Sequence, residues 1–523
     1  MSAHFSINET LLWTLKGLLI LIAALLTACG PPALQEREAS LALTTQEGSG
    51  TLLGQALAPL AGQHVGLSGV VPLSDSLDAF AARMLLIATA QRTIDARYYI
   101  WRDDITGNLL LDALHDAARR GVRVRLLVDD NGTSGLDDRL ALLNAQANAE
   151  VRLFNPFPFR AFKPLWFLTD FRRLNRRMHN KSLTIDGQAT VVGGRNIGDE
   201  YFGATQDVAF ADLDIMAVGT VVDEVSHDFD RYWNSQSAYP IEQLVTAPDT
   251  REAQALEKEE AGTLALPKAQ AYLRVVRTSG LVEDLLAQRL AFYWAPVRMV
   301  SDDPAKVLGK AQPQTMLTAR LMEILETPTR TIDLISPYFV PTQQGVQAFG
   351  QLADQGVAVR ILTNALEATD VAAVHAGYMK YRKPLLERGI ALFEMRGNHE
   401  VNKPREKAGP FGSSGTSLHA KTFSVDGERL FVGSFNFDPR SARLNTELGF
   451  VIESEQLADR ASRAFDNMIP RFAYQLEQDA EHGIVWIDRS ADNPVRLTTE
   501  PSASFWKRLA IRFLSRLPIE SLL

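Results

Sequence analysis

The stretch HNKSLTIDG at residues 179–187 decides the fold, because the chain repeats its pattern as HAKTFSVDG at residues 419–427. Both copies follow the rule His-x-Lys-x4-Asp-Gly. A glycine-containing turn that ends in Asn follows each copy, GGRN at residues 193–196 and GSFN at residues 433–436. One copy alone fits an ordinary polar surface strand. Two copies with the same elements indicate a duplicated functional constellation.

Other parts of the chain repeat in the same order, about 240 residues apart. The echoes are TID at 93–95 and 331–333, RGVRVR at 120–125 and QGVAVR at 355–360, and VPLSD at 71–75 and RMVSD at 298–302. The sequence therefore predicts two homologous halves, residues 65–245 and 290–475, with a polar helical linker at 246–289. Solenoid repeats have periods of about 20–50 residues, so the pattern does not indicate a solenoid.

Strand and helix patterns alternate within each half. Residues 93–101 are β-branched and aromatic, residues 109–120 have helical apolar spacing that stops at Gly121, and residues 122–128 form a second strand pattern. The second half repeats this order at 331–340, 345–355 and 357–363. The alternation predicts an α/β fold with a largely parallel or mixed sheet.

The composition excludes several classes of protein. With 54 Lys and Arg against 62 Asp and Glu, the formal net charge is −8, which argues against a general polyanion-binding protein. The 523 residues are 46% hydrophobic, as in globular proteins. The single cysteine rules out an intramolecular disulfide framework and a zinc site made of several thiolates. The sequence also lacks the Gly-x-Ser-x-Gly elbow of serine hydrolases and a Walker-type phosphate loop.

The repeated motif has the chemistry of a phosphate site. His and Lys two residues apart lie on one face of a strand, so His179 with Lys181, and His419 with Lys421, present an imidazole and a cation together. The following turns add donors to the phosphate, which are backbone N–H groups at Gly194 and Ser434 and the amides of Asn196 and Asn436. A Lys between the His and the Asp does not suit a divalent cation, so no metal is expected.

The duplicated motif resembles the HKD signature of the phospholipase D superfamily, over most of residues 65–475. Within that superfamily, the chain is most similar to bacterial cardiolipin synthases of the C type. The supporting stretches are YYIW at 98–101, GGRNIGDEYF at 193–202, SPYFVP at 336–341 and LPIESLL at 517–523. The resemblance implies two α/β/α sandwich lobes with mixed sheets, related by a pseudo-twofold axis, and a single active site between them.

The resemblance also implies a mechanism without a metal or other cofactor. One imidazole attacks phosphorus to form a phosphatidyl-histidine, and the other protonates the leaving alcohol and then deprotonates the incoming one. We favour His179 as the nucleophile and His419 as the acid and base, but the two halves are nearly symmetric here and the opposite assignment stays open. Lys181, Lys421, Asn196 and Asn436 would stabilise the charge on the non-bridging oxygens.

Four carboxylates complete the candidate site. Asp212 follows His179 by 33 residues and Glu447 follows His419 by 28, and both open apolar strand patterns. Such carboxylates orient the histidines in the superfamily, although ordinary strand-end carboxylates have the same pattern. Asp186 and Asp426 belong to the motif, but the Asp-Gly pair fits a hairpin turn, so we assign them a structural role.

The leading hypothesis is a phosphatidyltransferase that makes cardiolipin. It would use phosphatidylglycerol as acceptor, and phosphatidylglycerol or phosphatidylethanolamine as donor. The alternatives are a hydrolytic phospholipase D that gives phosphatidic acid, an HKD nuclease, and a catalytically silent lipid-binding lipoprotein. The expected partners are phospholipids and a membrane surface, but no nucleic acid. C-type synthases can depend on a small accessory protein, and the sequence leaves that question open.

The N-terminus has the pattern of a targeting segment. An apolar run at residues 18–26 follows Lys16 and leads to Leu26-Thr27-Ala28-Cys29, which resembles the lipobox of bacterial lipoproteins. The alternative is an uncleaved N-terminal anchor. Residues 1–29 are thus the signal or anchor, residues 30–64 a tether, and lipidated Cys29 the attachment point. The expected location is the periplasmic side of the cell envelope, with Gly30 favouring the outer membrane.

Two segments have a composition that suits contact with a membrane surface. Residues 157–181 interleave cations with aromatic side chains: Arg160, Lys163, Arg172, Arg173, Arg176, Arg177 and Lys181 with Phe157, Phe159, Phe162, Trp166, Phe167 and Phe171. Residues 476–523 are a C-terminal extension with a basic amphipathic helix pattern at 505–517. Each segment could instead pack on the body of the protein.

Overall fold

Two large mixed sheets organise the computed structural model, which describes residues 33–523 except 159, 161, 162, 205–208, 398–416, 492 and 519. Residues 1–29, with the proposed signal and Cys29, therefore lie outside the described residues. Within the described part of the chain, no helix is long and apolar enough to cross a bilayer.

The first sheet forms one lobe, mostly from residues before the linker. The strands in this part of the chain are β1 (Ser68–Leu73), β2 (Thr93–Tyr98), β3 (Arg123–Asp129), β4 (Ala149–Phe154), β5 (Ser182–Ile185), β6 (Ala189–Gly193), β7 (Phe210–Ala211), β8 (Asp214–Gly219), β9 (Ala238–Pro240) and β10 (Tyr293–Ala295). Their order in the sheet is β10-β1-β8-β6-β5-β2-β3-β4-β9, and β7 lies outside it. Strands β2, β3 and β4 are parallel, whereas β5 runs antiparallel to β2.

The second sheet repeats the first. Its part of the chain contributes β11 (Val297–Ser301), β12 (Thr331–Ile335), β13 (Ala358–Asn364), β14 (Ala391–Met395), β15 (Ser417–Leu418), β16 (Lys421–Val425), β17 (Arg429–Gly433), β18 (Leu448–Glu453), β19 (Ala473–Asp479), β20 (Gly483–Asp488) and β21 (Val495–Leu497). The order is β11-β18-β17-β16-β12-β13-β14-β19-β20-β21. From β11 to β19 it matches the order from β1 to β9 strand for strand, which confirms the predicted duplication.

Helices cover both faces of each sheet, so each lobe is an α/β/α sandwich as expected. In the first lobe, Ser76–Thr89 and Ile105–Arg119 pack on one face and Val221–Trp233 on the other. In the second lobe, Leu317–Leu325 and Thr342–Asp354 pack opposite Glu455–Asn467. The remaining helices are Leu52–Gln63, Asp137–Asn144, Phe171–Leu174, Asp199–Phe202, Thr250–Leu264, Pro267–Thr278, Leu281–Leu286, Ala372–Tyr378, Arg382–Glu387, Pro439–Arg443, Ile469–Phe472 and Phe505–Leu514.

The two lobes are joined by an apolar core and by backbone pairing. One continuous core contains Val192 and Ile215 of the first lobe with Leu430 and Phe450 of the second. The short strands β7 and β15 pair in parallel across the lobes. Burial of apolar side chains between the lobes fixes their relative position, which a site assembled from both requires.

The structure differs from the predicted boundaries at three points. The predicted tether at residues 30–64 is wrong over the residues that the structure describes. Its first part is hydrogen-bonded to the first lobe, for example from the N–H of Ala42 to Asp230 and from Arg125 to the carbonyl of Ser40. Leu52–Gln63 is a helix whose Leu53 and Leu57 are buried in the first lobe. Strand β10 pairs with β1, so the first sheet takes an edge strand from the region assigned to the second half. Strands β20 and β21 extend the second sheet into the predicted C-terminal extension.

Candidate active site

The Asp-Gly pair of each motif forms a tight hairpin turn. Asp186 and Gly187 between β5 and β6 have φ of 52° and 65°, and Asp426 and Gly427 between β16 and β17 have 56° and 67°. Two successive positive φ values match the turn that joins twisted antiparallel strands. Asp186 accepts hydrogen bonds from the backbone N–H groups of residues 91–93, and Asp426 from those of residues 329–331. These bonds fix the chain before β2 and β12, away from the histidines.

Each histidine is held by the backbone of the opposite lobe. The backbone N–H of His179 donates to the carbonyl of Thr446 at 2.8 Å, and that of His419 donates to the carbonyl of Ala211 at 2.8 Å. Both side chains are buried. The two lobes therefore build each half of the site together. The prediction that each His-Lys pair lies on one strand is wrong, because His179 and Lys181 both precede β5, and His419 precedes β16, whose first residue is Lys421.

The orienting carboxylates also come from the opposite lobe. His179 Nδ1 lies 2.8 Å from Glu447 Oε2, and His419 Nδ1 lies 2.5 Å from Asp212 Oδ2. The sequence placed each carboxylate after the histidine of its own half, but the hydrogen bonds exchange the partners. A carboxylate at Nδ1 fixes the imidazole tautomer and leaves Nε2 available for chemistry.

The two carboxylates have different neighbours. Glu447 Oε2 also accepts a hydrogen bond from the hydroxyl of Ser434, and the Glu447 backbone N–H donates to Asp302. Gly194 occupies the position equivalent to Ser434, and a Cβ there would lie 2.2 Å from Asp212 Oδ1. Gly194 is thus required for the close approach of Asp212.

The predicted backbone donors to phosphate are engaged elsewhere. The N–H of Gly194 donates to the carbonyl of Leu213, and the N–H of Ser434 donates to the carbonyl of Leu448. The prediction that these two N–H groups bind phosphate is therefore wrong for this conformation, because both continue the hydrogen bonding of the sheet.

The two asparagines also differ. The side chain of Asn196 accepts from the N–H of Ile100 and donates to the hydroxyl of Tyr201. Asn436 is buried, and its Oδ1 has no hydrogen-bond partner within the described residues. Asn436 therefore keeps unused hydrogen-bonding capacity, whereas Asn196 supports the wall of the site.

The two motif lysines are buried beside the histidines. Lys181 Nζ donates to the carbonyl of His179 at 2.6 Å and lies 5.5 Å from the ring centroid of Tyr99. Lys421 Nζ donates to the carbonyl of His419 and lies 2.8 Å from its Nδ1. Burial lowers the pKa of Lys421 to about 8 against the opposing effect of Asp212, and it lowers the pKa of Lys181 well below its usual value.

The same burial distinguishes the two histidine–carboxylate pairs. Burial and the nearby lysines hold the pKa of His179 well below its usual value, and they lower the pKa of His419 although Asp212 opposes them. Burial raises the pKa of Glu447 to about 7, despite Lys181 nearby. Burial also acts to raise the pKa of Asp212, but His419 and Lys421 outweigh it and keep the pKa below its ordinary value.

Aromatic side chains form the walls around the histidines. Tyr99 meets the His179 ring edge-on at 5.1 Å, Phe210 stacks on the His419 ring at 5.0 Å, and Tyr201 meets that ring at 5.2 Å. Sequence reasoning did not identify Phe210, which precedes Asp212 by two residues. The position of Phe210 near an orienting carboxylate is a signal that a search for wall residues could use.

The basic aromatic segment is mostly structural. Arg160 and Lys163 pair with Asp130, and Arg177 pairs with Asp129, while Phe157 is fully buried. Phe159 and Phe162 lie outside the described residues. The exposed residues of the segment are mostly apolar but include one of its cations: Pro164, Leu165, Leu168, Thr169, Phe171 and Arg172.

The C-terminal helix Phe505–Leu514 has two apolar sides. Ile511 is buried against helix Ala372–Tyr378, so one side packs on the second lobe. The other side leaves Trp506 74% exposed and Phe513 65% exposed, with Phe505 and Leu509 beside them.

Comparisons with known proteins show the family of the chain. A family model described as "Cardiolipin synthase, PLD-like domain" matches residues 84–233 and 321–469. Cardiolipin synthase C of Escherichia coli strain K12 is 50% identical over 90% of this chain and 99% of that protein. The major cardiolipin synthase ClsA of Bacillus subtilis strain 168 is 27% identical over 77% of this chain and 70% of that protein.

A solved structure supports the architecture alone. The crystal structure of a phosphatidylserine synthase from Haemophilus influenzae Rd KW20 aligns with a TM-score of 0.57, at 13% sequence identity. The alignment covers 89% of this chain and 99% of that one.

Proposed function

The chain belongs to the cardiolipin synthases of the phospholipase D superfamily, and we propose that its crossed histidine–carboxylate pairs transfer a phosphatidyl group to the headgroup hydroxyl of phosphatidylglycerol, giving cardiolipin. The observation that carries this proposal is that His179 and His419 each receive an orienting carboxylate from the opposite lobe, at 2.8 Å and 2.5 Å. Two imidazoles that both present Nε2 suit a two-step displacement at one phosphorus.

In the first step, His179 Nε2 attacks the phosphorus of the donor phospholipid. A P–N bond forms as the P–O bond to the donor headgroup breaks, and His419 gives its Nε2 proton to the departing alkoxide. In the second step, His419 removes the proton of the acceptor hydroxyl. The acceptor oxygen then attacks phosphorus, and the P–N bond breaks. One phosphodiester is consumed and one is formed, so the reaction requires no nucleotide as an energy source.

The electrostatic difference between the pairs supports His179 as the nucleophile. A nucleophilic imidazole must be neutral, and the pKa of His179 lies well below its usual value. An acid needs a stabilised imidazolium, and ionised Asp212 contacts His419 directly. Glu447 stabilises a proton on His179 less, because its own pKa is raised to about 7 and Ser434 occupies the same oxygen.

The buried lysines supply the charge that a phosphodiester needs. An anion bound between Lys181 and Lys421 would raise both lysine pKa values, since it supplies a negative charge in a desolvated site. The side-chain NH2 of Asn436 is the donor that this residue would offer to the same phosphate, since its Oδ1 can only accept. These groups would stabilise the equatorial oxygens as negative charge develops in the transition state.

The lipid substrate implies docking at a membrane surface, and we place that contact on the exposed side of helix Phe505–Leu514. Trp506 and Phe513 are exposed there, and Arg512 and Arg516 flank them on the solvent side. Aromatic side chains with neighbouring cations suit the interface of an anionic bilayer. Trp506→Glu should reduce binding to phosphatidylglycerol vesicles, whereas Val495→Glu, at another exposed site in the extension, should not.

The proposed attachment is through lipidated Cys29 in the cell envelope, with the catalytic lobes on the periplasmic side. The support is the sequence pattern at residues 18–29 and its small residues before the cysteine. Mass spectrometry of the N-terminal peptide from native membranes tests this. A diacylated Cys29 peptide is expected, and a peptide continuous through residue 28 would contradict it.

The function is tested by lipid mass spectrometry on the purified chain in vesicles of phosphatidylglycerol and phosphatidylethanolamine, with a chelator present. Cardiolipin should form with the wild type and not with His179→Ala or His419→Ala. Release of glycerol or of ethanolamine would identify the donor. Phosphatidic acid as the sole product would instead show a hydrolase, in which water takes the acceptor position.

A further inference from the structure

The second lobe carries an open apolar groove of about 460 Å³. It lies between helices Leu317–Leu325 and Thr342–Asp354, over β12 and β16. Its wall and floor are formed mainly by apolar side chains, among them Leu321, Met322, Phe349 and Phe423. The volume falls within the range of about 300–1,000 Å³ that is typical of ligand sites.

The duplication provides an internal comparison, because the equivalent space in the first lobe is filled. Phe202 follows Asn196 by six residues, and the position six residues after Asn436 is Ala442, which lines the groove. Tyr272, on linker helix Pro267–Thr278, packs edge-on against Phe80 at 5.5 Å. Its hydroxyl donates to the carbonyl of Phe202 at 2.7 Å.

One end of the groove lies beside the catalytic centre. Phe435 and Phe437, which flank the active-site residue Asn436, both line it, and so does Asp438. The charge of Asp438 contributes to the pKa of Lys421, so this end is within electrostatic range of that lysine. The other end is marked by Val425, the last residue of β16, at the end of that strand away from Lys421.

We propose that the groove binds one acyl chain of the phospholipid whose phosphate lies between the two histidines. This inference rests on the proposed function, and it adds a subsite for the lipid tail. The groove starts at the catalytic end, is lined by apolar side chains along its length, and is open to solvent. Of its acidic lining residues, Glu326 is paired with Arg429 at 3.0 Å and Asp438 lies at the catalytic end, where the headgroup region would be.

The consequence is that the two lobes have unequal roles in lipid binding. Phe202 and Tyr272 fill the equivalent space in the first lobe, whereas the groove of the second lobe is open. One phospholipid would therefore be held in one orientation in a centre that is otherwise nearly symmetric.

The first test compares monomeric dihexanoyl and dioctanoyl phosphatidylglycerol as substrates. Two more buried methylenes in one chain should lower the wild-type KM about tenfold. Ala348→Trp fills the groove from an exposed lining position, and Ala442→Phe introduces the first-lobe residue. Both variants should lose the chain-length dependence while their kcat for the dihexanoyl lipid changes less than about twofold.

The matched control is Gln347→Trp, on the same helix but outside the groove lining. It should keep the wild-type dependence on chain length. Equal KM ratios in the wild type, Ala348→Trp and Ala442→Phe would overturn the proposal. So would loss of the dependence in Gln347→Trp to the same extent.

The second test does not depend on turnover. Phosphatidylglycerol with a photoreactive diazirine near the end of one chain is irradiated with the protein, and the adducts are mapped by mass spectrometry. Adducts are expected within residues 317–325 and 342–354, and Ala348→Trp should reduce them where Gln347→Trp does not. Adducts confined to other segments would overturn the proposal and favour a helix of a partner protein as the occupant of the groove.

The two tests separate the two proposals. Adducts in the groove without any phosphatidyl product would contradict the proposed function and support the lipid subsite. Cardiolipin synthesis with no adduct in the groove would support the proposed function and contradict the lipid subsite.

Discussion

Asp212 and Gly194 of the first lobe support His419, whereas Glu447 and Ser434 of the second lobe support His179. Asp212 approaches His419 to 2.5 Å because Gly194 has no Cβ, which would lie 2.2 Å from the carboxylate. Glu447 reaches His179 at 2.8 Å and shares its oxygen with the Ser434 hydroxyl. A shorter carboxylate beside glycine and a longer one beside serine thus occupy equivalent positions.

The difference indicates that the two histidines of the duplicated halves have different catalytic roles. Asp212 keeps a full negative charge next to His419, and the pKa of Glu447 is raised to about 7. The pair with the stronger charge suits the acid and base, and the other suits the nucleophile. Breaking each pair separately should therefore have unequal effects.

The largest expected effect separates the two histidines directly. With a phosphatidyl donor that carries a nitrophenolate leaving group, His419→Ala should still form a covalent adduct, because that leaving group needs no acid. His179→Ala should form none, and steady-state cardiolipin synthesis should fall at least about 10³-fold in both variants. Intact-protein mass spectrometry and peptide mapping measure the adduct. An adduct on His419 in His179→Ala would exchange the assigned roles.

The next effect is on the carboxylates. Asp212→Asn should lower kcat by about 10²–10³-fold, because His419 loses its charged partner and must then serve as acid and base without it. Glu447→Gln should lower kcat by only about tenfold, since a partly protonated group is replaced by a neutral one. Steady-state cardiolipin synthesis from phosphatidylglycerol measures kcat for both variants. Equal losses of kcat would contradict the different roles proposed for His179 and His419.

A smaller effect is expected from the neighbouring positions. Gly194→Ala should reduce kcat about 10- to 100-fold, because its Cβ displaces Asp212 from His419. Ser434→Gly in the second lobe should reduce kcat less than about tenfold, since it removes one hydrogen bond to Glu447. Circular dichroism and thermal unfolding control for folding, and a harmless Gly194→Ala would contradict the steric explanation.

The smallest effect concerns pH. The pKa of Lys421 is lowered to about 8, so in the free enzyme its positive charge is present below that pH and is lost as pH rises through it. The kcat/KM should therefore fall about twofold between pH 7 and pH 8 and keep falling at higher pH. The arginine in Lys421→Arg keeps its charge at these pH values. The fall of kcat/KM should therefore shift to higher pH in this variant, even if its maximal kcat/KM is lower. A fall that stays at the same pH would assign it to another group.

Several features were predictable because they depend on local pattern. The Asp186-Gly187 turn and the glycine stop at residue 121 each follow from backbone geometry over a few residues. The pairing of His179 with Lys181 was also predictable from their spacing, although both residues precede β5 and do not lie on it. The second copy made the same local pattern recognisable twice. The duplication, the α/β class and the histidine, lysine and carboxylate set were therefore accessible from sequence.

Other predictions failed because their partners are distant in the chain. The cations at Arg160 and Arg177 look like an exposed basic surface, but Asp130 and Asp129 neutralise them in the folded lobe. The N–H groups of Gly194 and Ser434 look like free donors, but neighbouring strands use them. Composition reveals a charge or a donor, and it does not reveal whether a remote segment occupies it.

The sequence by itself determined the repeated elements, the residue types of the catalytic set and the turns that close the hairpins, since these are encoded within a few residues. The tertiary structure decided which carboxylate serves which histidine, because the pairs His179–Glu447 and His419–Asp212 form only when the two lobes pack. It also decided that the groove beside Ala442 is open, while Phe202 and Tyr272 fill its first-lobe counterpart. Packing between distant segments, which local periodicity does not encode, made both choices.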